Sequence, residues 1–369
     1  MRVMFAITKG EVGGAQEHVR ILAQGLIERG NPVALVVTPE SDLAESVGSM
    51  GVEILPWRSI SAGASPVSNL SARRQLKKLV KDWGPDVLHL HSSVAGAVGS
   101  GLLRSPKGVT IFTCHHAAFG KGRKWSHRIL ARPVAKATLP RMDGIISVGT
   151  RDMKALHGIA KEVPLALVRN AVPAATDPIT DGELRPSAIW VARLASPKDP
   201  LMAVAAWEKV VEQVPEATLT ICGTGPLAEQ LRAQVAVSAA RNNIEVAGFV
   251  PDVTPVIKRS SAFLLVSKVE GGITMATLEA MGQGLVPVVT DAGDSRLLAE
   301  QNCGIVVDSY DPDSIAESLV ALFSDPDRYA KLRSNALAFV SGRTVDDFVE
   351  ETIDFYRLIA DRAPSVGIR

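Results

Sequence analysis

The stretch that decides the fold is Leu264–Gly293, which reads LLVSKVEGGITMATLEAMGQGLVPVVTDAG. It begins with a short apolar run of the kind that a buried parallel strand requires. A polar turn with two adjacent glycines follows, and Thr274 can cap a helix that begins near Met275. Gly284 and Pro287 end that helix, and a second apolar segment forms the next strand. This order of strand, turn, helix and strand predicts one β/α unit of a parallel sheet.

The turn in this stretch suits a ligand that carries both phosphate and hydroxyl groups. Gly271 and Gly272 let the backbone approach a ligand, and the helix after them directs N–H groups and partial positive charge towards it. Glu270 and Glu279 flank the turn, and carboxylates accept hydrogen bonds from hydroxyls. Together these groups indicate a sugar nucleotide. On spacing alone, two solvated helix charges are an equal alternative for the glutamates.

The same stretch resembles the donor-site signature of glycosyltransferase family 4, whose members are retaining enzymes with two Rossmann-like lobes, the GT-B fold. That signature has Ser-x-x-Glu-Gly, a second glutamate after seven residues, Glu-Ala-Met and a Gly-x-Pro strand. The matching residues here are Ser267, Glu270, Gly271, Glu279, Ala280, Met281, Gly284 and Pro287. Eight residues, rather than seven, separate the two glutamates. The helical Glu279 therefore matches the signature better than Glu270 does.

Length and composition fit a folded protein of two domains. The chain has 369 residues, of which 46% are hydrophobic and 21% are charged. It has no apolar run of about 18 residues, and its N-terminus leads directly into a strand pattern. We therefore expect a cytoplasmic protein without a signal peptide or a spanning helix. The three scattered cysteines indicate reduced, buried side chains.

Strands and helices alternate in two sets along the chain. The predicted strands lie at residues 3–8, 32–38, 86–91, 109–113, 144–148 and 165–168, and then at 188–191, 217–222, 244–246, 262–266, 285–290 and 304–307. This alternation predicts an α/β protein with two Rossmann-like, doubly wound domains facing a central cleft. The predicted domains are 1–172 and 187–344, joined by a proline-containing linker, 173–186. The resemblance implies that a C-terminal helix in 345–369 packs back on the first domain.

A basic turn follows the first strand of the second domain. Arg193 and Lys198 lie there, and two cations beside a diphosphate stabilise both the bound donor and the charge of the leaving group. The family has Gly-Arg-Leu, three residues and Lys-Gly. This chain keeps Arg193, Leu194 and Lys198 but has Ala192 and Asp199 in place of the glycines. An ordinary pair of surface cations is the alternative.

Two further glycine turns follow strands. Gly223 and Gly225 nearly match a dinucleotide-binding fingerprint, and Glu245 lies 20 residues beyond. That fingerprint belongs to the first strand of a domain, so we favour the Gly-x-Gly-Pro turn that lines the nucleotide side of the cleft in the family. Gly13 and Gly14 resemble the glycine loop of the family's first domain, which closes over the donor. A plain tight turn is an equal alternative for this second pair.

Histidine is the candidate catalytic side chain of the first domain. The segment Thr113-Cys114-His115 resembles the family's Thr-x-His at the end of a strand, which selects His115 rather than the adjacent His116. A neutral imidazole there can hydrogen-bond a sugar hydroxyl or the departing phosphate. A structural histidine with satisfied hydrogen bonds is the alternative.

Two Asp-Pro-Asp segments resemble the metal clamp of a different glycosyltransferase fold. Each precedes a helical pattern, so we predict that Asp311 and Asp325 are N-caps with proline in the first turn. The sequence offers no other metal-ligand set. We therefore expect a donor site without metal and no cofactor, with the nucleotide-diphosphate sugar as co-substrate.

The resemblance implies a hexosyltransferase that moves a sugar from a UDP- or GDP-linked donor to a hydroxyl of an acceptor, with retention of configuration. The implied acceptor is a glycan or a lipid-linked molecule, and the implied role is in cell-surface polysaccharide or glycolipid synthesis. The diphosphate would contact Arg193, Lys198 and the backbone of Gly272–Thr274, the ribose Glu279, and the sugar Glu270. The implied catalytic residues are His115, Arg193, Lys198 and Glu270, and the implied donor-binding residues are Gly13, Gly14, Gly223, Gly225, Gly271, Gly272, Ile273, Thr274 and Glu279. The alternatives are a nucleotide-sugar epimerase of the same fold and a non-catalytic nucleotide-sugar-binding protein.

Positive charge is concentrated in the first half of the chain. Residues 1–180 carry 23 Lys and Arg against 13 Asp and Glu, whereas residues 181–369 carry 17 against 26. Segment 117–142 has seven basic residues, no acidic residue and interleaved apolar side chains, and a second basic run spans 73–81. Both suit an anionic membrane surface, which predicts a peripheral protein on the inner face of the membrane and no nucleic-acid partner. A solvated cationic face, or a patch for a phosphorylated acceptor, is an equal alternative because Pro133 and Pro140 interrupt any single helix.

Overall fold

The structure is a computed structural model that describes residues 1–60, 66–103, 108–117, 125–175 and 183–362. The chain forms two compact units. The first unit contains Met1–Asn170 together with the C-terminal segment from Val345, and the second contains Ala171–Thr344. Residues 176–182 of the predicted linker lie outside the described part. Each unit holds one parallel sheet with helices between its strands, so the predicted α/β class with two doubly wound sheets is confirmed.

The sheet of the first unit has seven strands. They are β1 (Val3–Ala6), β2 (Val33–Val37), β3 (Glu53–Pro56), β4 (Val87–Leu90), β5 (Val109–Cys114), β6 (Gly144–Ser147) and β7 (Leu165–Leu167). The helices between them are α1 (Gly14–Glu28), α2 (Asp42–Gly48), α3 (Pro66–Trp83), α4 (Ser93–Gly99), α5 (Trp125–Thr138) and α6 (Thr150–His157), with a 3-10 turn at Leu139–Arg141. The strand order is β3-β2-β1-β4-β5-β6-β7, so the direction of winding reverses between β1 and β4.

The sheet of the second unit has six strands. They are β8 (Ser187–Val191), β9 (Thr218–Cys222), β10 (Ile244–Gly248), β11 (Ala262–Leu265), β12 (Val286–Thr290) and β13 (Ile305–Val307). The helices are α7 (Pro200–Gln213), α8 (Ala228–Val237), α9 (Thr254–Ile257), α10 (Met275–Gly282), α11 (Arg296–Glu300), α12 (Pro312–Phe323) and α13 (Pro326–Ser341). The order β10-β9-β8-β11-β12-β13 reverses between β8 and β11. Ligands of such sheets bind where the order reverses, beyond the carboxyl ends of the strands.

Helix α14 (Val345–Arg362) packs on α1 and against β5 within the first unit. Gly25 of α1 lies so close that a Cβ there would be 2.5 Å from Cγ2 of Val349. Arg29 forms ion pairs of 2.6 Å with Asp346 and Glu350. Phe348, Ile353 and Phe355 of this helix are buried, whereas Leu358 is 45% exposed.

Buried residues fill both faces of the central strands. Every residue of β1, β2, β4, β5 and β6 is buried, as expected for strands covered on both faces. Trp190 and Trp207 are fully buried in the second unit. The three cysteines are buried and unpaired, as predicted. No helix in the described part of the chain is both long enough and apolar enough to cross a bilayer.

The prediction differs from the structure at two local features. Strand β3 was not predicted because it is a four-residue edge strand without a fully apolar face, and Glu53 in it is exposed. The prediction that Pro133 interrupts any single helix is wrong, because α5 continues through it. The carbonyl that loses its helical donor belongs to Ile129, an exposed residue, so water can satisfy it. Pro140 lies in the 3-10 turn that follows α5.

Candidate functional site

Two turns of the second unit meet where its strand order reverses. Lys198 lies after β8 and Glu270 after β11, and Nζ of Lys198 is 2.5 Å from Oε1 of Glu270. The hydroxyl of Ser267 donates to the same carboxylate oxygen at 2.6 Å. Only 24% of the Lys198 side chain and 14% of the Glu270 side chain are exposed. Two residues that are 72 positions apart and were both assigned to the donor site are therefore in direct contact.

The basic turn is closed by backbone hydrogen bonds. The N–H of Lys198 donates to the carbonyl of Ala195 at 2.9 Å, and the N–H of Lys268 donates to the carbonyl of Pro197 at 2.9 Å. The second bond ties the turn after β11 to the turn after β8. Arg193 is exposed, and its side chain makes no ion pair with any residue in the described part of the chain. Its guanidinium is therefore available to an external anion.

Gly223 and Gly225 let a third turn pack behind the basic turn. Both have positive φ, 147° and 155°. A Cβ on Gly223 would lie 2.0 Å from the carbonyl oxygen of Ala192, and a Cβ on Gly225 would lie 2.4 Å from that of Leu194. The N–H of Leu194 also donates to the carbonyl of Thr224 at 2.8 Å. These glycines therefore support the backbone on either side of Arg193.

Helix α10 begins at the Gly-Gly turn, as predicted. The side chain of Thr274 accepts from the N–H of Thr277 at 3.2 Å, so the predicted N-cap is confirmed. The other N–H groups of a first helical turn have no acceptor within the helix and are available to a ligand. Gly272 is buried, and its carbonyl oxygen would be 2.4 Å from a Cβ on Gly293, so the chain packs tightly behind the turn. Glu279 lies one turn further along α10 and is half-buried.

A small recess opens beside this turn. Its lining includes Ser267, Glu270, Gly272, Ile273 and Thr274, together with the ends of β11 and β12. The recess therefore brings together a carboxylate, several hydroxyls and the start of a helix. Such a set can accept hydrogen bonds from a sugar and donate N–H groups to an anion.

The predicted residues of the first unit also lie at the ends of strands. Helix α1 begins at Gly14, with Gly13 as its N-cap. His115 follows β5 and is partly exposed, and its Nε2 lies 3.2 Å from Nδ1 of His91. His115 is thus hydrogen-bonded to another histidine, and its Nδ1 can serve a further contact.

Three histidines that the sequence interpretation did not select form a cluster with His115. Nδ1 of His18 donates to Oδ1 of Asn170 at 3.0 Å. His89 hydrogen-bonds the hydroxyl of Tyr356 at 2.5 Å through Nδ1 and the hydroxyl of Thr113 at 2.7 Å through Nε2. The ring centroids of His89 and His91 are 4.0 Å apart, and those of His18 and His115 are 4.7 Å apart. The available signal was the two-residue spacing of His89 in β4 and His91 directly after it, because that spacing places both side chains on one face of an extended chain.

Burial keeps these histidines neutral. It lowers the pKa of His18 from 6.5 to about 4, although the hydrogen bond to Asn170 acts in the opposite direction. Burial, and next the neighbouring histidines, lower the pKa of His89, His91 and His115 well below 6.5. The cluster therefore presents uncharged imidazoles at neutral pH.

The nitrogens of His18, His91 and His115 lie within 4.8 Å of one another. Ligands of a tetrahedral zinc ion are about 3.3 Å apart, from Zn–N bonds of about 2.0 Å. The three nitrogens are therefore grouped closely enough that they could hold a metal ion after small movements of the rings. The side chains of Asp311 and Asp325 accept from the N–H groups of Ser314 and Arg328, which confirms that both are N-caps.

Comparisons with known proteins agree with this fold. The family model described as Glycosyltransferase Family 4 matches residues 12–175, and the model described as Glycosyl transferases group 1 matches residues 185–325. The chain is 26% identical over 341 residues to phosphatidyl-myo-inositol mannosyltransferase of Mycolicibacterium smegmatis, covering 90% of this chain and 85% of that protein. It is 27% identical over 332 residues to the O-antigen biosynthesis glycosyltransferase WbnH of Escherichia coli, covering 89% and 91%.

Solved structures show the same architecture. The crystal structure of Anabaena HepE in complex with UDP and glucose superposes with a TM-score of 0.80 at 15% identity, covering 97% of this chain and 99% of that one. The fold is therefore the GT-B fold, and the chain is a glycosyltransferase. It belongs to glycosyltransferase family 4, with a family 4 domain followed by a group 1 domain.

Proposed function

We propose that this enzyme transfers a hexosyl group from a nucleotide-diphosphate sugar to an acceptor hydroxyl, with retention of configuration. The observation that carries this proposal is the contact between Lys198 and Glu270 beside the N-terminus of α10. The N–H groups at the start of α10 suit the diphosphate, the carboxylate suits the sugar hydroxyls, and the cation suits the negative charge that develops on the departing diphosphate.

Each donor-site residue has a role that follows from its chemistry. Arg193, Lys198 and the N–H groups of Gly272–Thr274 bind the diphosphate, and the two cations stabilise the charge that develops as it leaves. Glu279 accepts hydrogen bonds from the ribose hydroxyls. Glu270 accepts hydrogen bonds from the transferred sugar. In the structure Glu270 already neutralises Lys198, so donor binding would exchange the carboxylate for the diphosphate as the partner of the lysine.

Retention is explained by attack on the face that the diphosphate leaves. The bond between the sugar's anomeric carbon and the phosphate oxygen breaks as the acceptor oxygen bonds to that carbon. The acceptor proton passes to the departing phosphate oxygen, which gives a nucleoside diphosphate and a glycoside. His115 is proposed to hydrogen-bond a sugar hydroxyl or that phosphate through Nδ1. This mechanism needs no divalent metal, because Arg193 and Lys198 supply the positive charge.

Named relatives support the class of donor and acceptor. HepE was crystallised with UDP and glucose, which supports a UDP-linked donor, and a GDP-linked donor is the other candidate. The mannosyltransferase relative is named for a phosphatidyl-myo-inositol acceptor, and WbnH for O-antigen biosynthesis. We therefore propose a lipid-linked or glycan acceptor in glycolipid or polysaccharide synthesis.

A membrane-facing surface fits such an acceptor. Arg132 and Lys136 of α5 are exposed beside the exposed apolar Ile129 and Val134, and α4 contacts both α3 and α5. Arg73 is not part of this surface, because its guanidinium donates to the carbonyls of Val98 and Ser100. The basic residues of α3 that remain exposed are Arg74, Lys77, Lys78 and Lys81. We propose that this surface of the first unit binds the cytoplasmic face of an anionic membrane.

The enzymatic proposal is tested with a panel of UDP- and GDP-linked sugars. The expected result is slow release of nucleoside diphosphate without acceptor, unaffected by chelator. Arg193→Ala and Lys198→Ala should each lower this rate by about a hundredfold. Lys209→Ala, which removes a partly exposed lysine of α7, is the matched control. With an acceptor, the product should keep the donor's anomeric configuration. Formation of an epimeric sugar nucleotide, or binding without any turnover, would replace the transferase with one of the two alternatives.

The membrane proposal is tested by sedimentation with vesicles. Binding to anionic but not to neutral vesicles is expected, and it should weaken in an Arg132→Ala/Lys136→Ala variant and at high salt. An Arg328→Ala/Lys331→Ala variant of α13 serves as a control, since both side chains are exposed in the second unit. Equal binding to both kinds of vesicle, or to neither, would remove the membrane from the proposal.

A further inference from the structure

Asp199 holds a backbone conformation that its residue type disfavours. Its φ and ψ angles are 38° and 64°, in the left-handed region, where the Cβ of any residue other than glycine meets the following carbonyl. Pro200 follows directly, and a proline ring pushes the residue before it towards extended conformations. The conformation of Asp199 must therefore be supported by contacts outside its own backbone.

Three contacts to the Asp199 carboxylate supply that support. The hydroxyl of Tyr310 donates to Oδ2 at 2.8 Å, and Nζ of Lys268 lies 2.6 Å from the same oxygen. The N–H of Met202 donates more weakly to Oδ1 at 3.4 Å. Only 15% of the Asp199 side chain is exposed. Burial, and next the hydrogen bond to Asp199, raise the pKa of Tyr310, so its hydroxyl keeps the proton that it donates.

These contacts join separate elements around one turn. Lys268 follows β11, whereas Tyr310 lies between β13 and α12. The backbone N–H of Lys268 also reaches the carbonyl of Pro197, and the N–H groups of Lys198 and Asp199 both donate to the carbonyl of Ala195. Lys198 is therefore held between the fixed Pro197 carbonyl and the fixed Asp199 carboxylate.

We propose that Asp199, Tyr310 and Lys268 are positioning residues that aim Lys198 at the donor diphosphate. The φ angle of Asp199 sets the direction in which the chain leaves Lys198, and the Tyr310 and Lys268 contacts set that angle. The inference rests on the proposed role of Lys198 as a diphosphate ligand. None of the three needs to touch the donor, since each acts through the geometry of the turn.

An Asp199→Gly variant distinguishes the positioning role from a purely structural one. Glycine adopts left-handed conformations without support, so the turn in an Asp199→Gly variant does not require Tyr310 or Lys268. The positioning role therefore predicts that the effect of Tyr310 on diphosphate binding depends on both Asp199 and Lys198. Tyr310→Phe weakens diphosphate binding when Asp199 is present, and has little effect in the Asp199→Gly background. It also has little effect in the Lys198→Ala background, because the ligand that it positions is then absent.

The experiment measures UDP and GDP binding by calorimetry across these double-mutant cycles. Tyr310→Phe and Lys268→Met should each weaken binding by up to about tenfold in the natural background, as expected for the loss of one hydrogen bond or ion pair. Both losses should disappear with Asp199→Gly or Lys198→Ala. Lys209→Met removes a partly exposed lysine of α7 and should leave binding unchanged. Thermal melts of every variant report whether it is folded.

Each outcome decides one question. Equal losses in all three backgrounds, or unchanged binding in the single variants, would overturn the positioning role while leaving the proposed function standing. Wild-type protein that binds neither nucleotide would overturn the proposed function, and the positioning role with it. Coupling of Tyr310 to Asp199 in thermal stability, with no coupling to Lys198 in binding, would assign the three residues to stability alone and overturn the inference.

Discussion

Mild acid should destabilise the first unit, because four clustered histidines stay neutral in the fold at pH values that protonate them in the unfolded chain. His18, His89, His91 and His115 all have a lowered pKa in the folded state. An unfolded histidine titrates near pH 6.5. Below that pH the unfolded chain binds protons that the folded chain excludes, so stability is complete above about pH 7 and falls with pH until the folded pKa is reached.

The size of the effect follows from linkage. At pH 5.5 an unfolded histidine is mostly protonated, which lowers the free energy of the unfolded state by on the order of 1 kcal/mol for each group that stays neutral when folded. For four such groups the loss is on the order of 5 kcal/mol. This is comparable with the whole stability of a typical domain, about 5–15 kcal/mol.

Hydrogen exchange at pH 7.5, 6.5 and 5.5 measures this loss locally. The expected result is a large loss of protection, after correction for intrinsic exchange, in β4, β5, α1 and α14. The second unit is an internal control, because all seven histidines of the chain lie at or before His157. The slope of the unfolding free energy with pH near pH 5.5 should correspond to an uptake of about three to four protons on unfolding.

Two histidine variants assign the proton uptake to the buried cluster. His89→Gln should reduce the proton uptake by about one, whereas His157→Gln, at an exposed position of α6, should not change it. An uptake of one proton or fewer in the wild type would refute the reasoning. So would an equal loss of protection in the histidine-free second unit.

Three further sets of substitutions test the local structure by denaturant unfolding. Gly225→Ala should cost about 2–4 kcal/mol, because its Cβ would strike a carbonyl oxygen, whereas Gly248→Ala, with φ of 72° and open space around it, should cost only about 1–2 kcal/mol of backbone strain. Thr274→Ala should cost about 1 kcal/mol through loss of the N-cap, and Thr274→Ser should restore most of it. Tyr356→Phe removes the partner of a buried nitrogen of His89 and should cost about 1–3 kcal/mol. Losses below half a kcal/mol in the first member of any set would contradict the contact that it tests.

Features set by local sequence could be predicted well. The caps at Thr274, Asp311 and Asp325 depend on a side chain and the N–H groups of the next turn, so the sequence contains all the information. The contact between the turns that carry Lys198 and Glu270 could be predicted only indirectly, from the fold class. Doubly wound sheets bring together the carboxyl ends of the two strands between which the strand order reverses.

Features set by tertiary contacts could not be predicted. The hydrogen bond between His89 and Tyr356 joins residues that are 267 positions apart, and no local pattern indicates it. The left-handed backbone of Asp199 depends on Tyr310, which is 111 positions away. Strand β3 depends on pairing with β2, because its own residues lack a continuous apolar face.

The return of helix α14 to the first unit has a consequence for the synthesis of the protein. The second unit is one continuous segment, so it can fold as soon as it leaves the ribosome. The first unit cannot complete its packing then, although most of it is made earlier, because its last helix is made after the second unit. Until α14 arrives, His89 lacks Tyr356 and the close contact at Gly25 is open. A chain that stops before Val345 would therefore leave the first unit incomplete, and cellular proteases that recognise exposed apolar surface would distinguish truncated chains from finished ones.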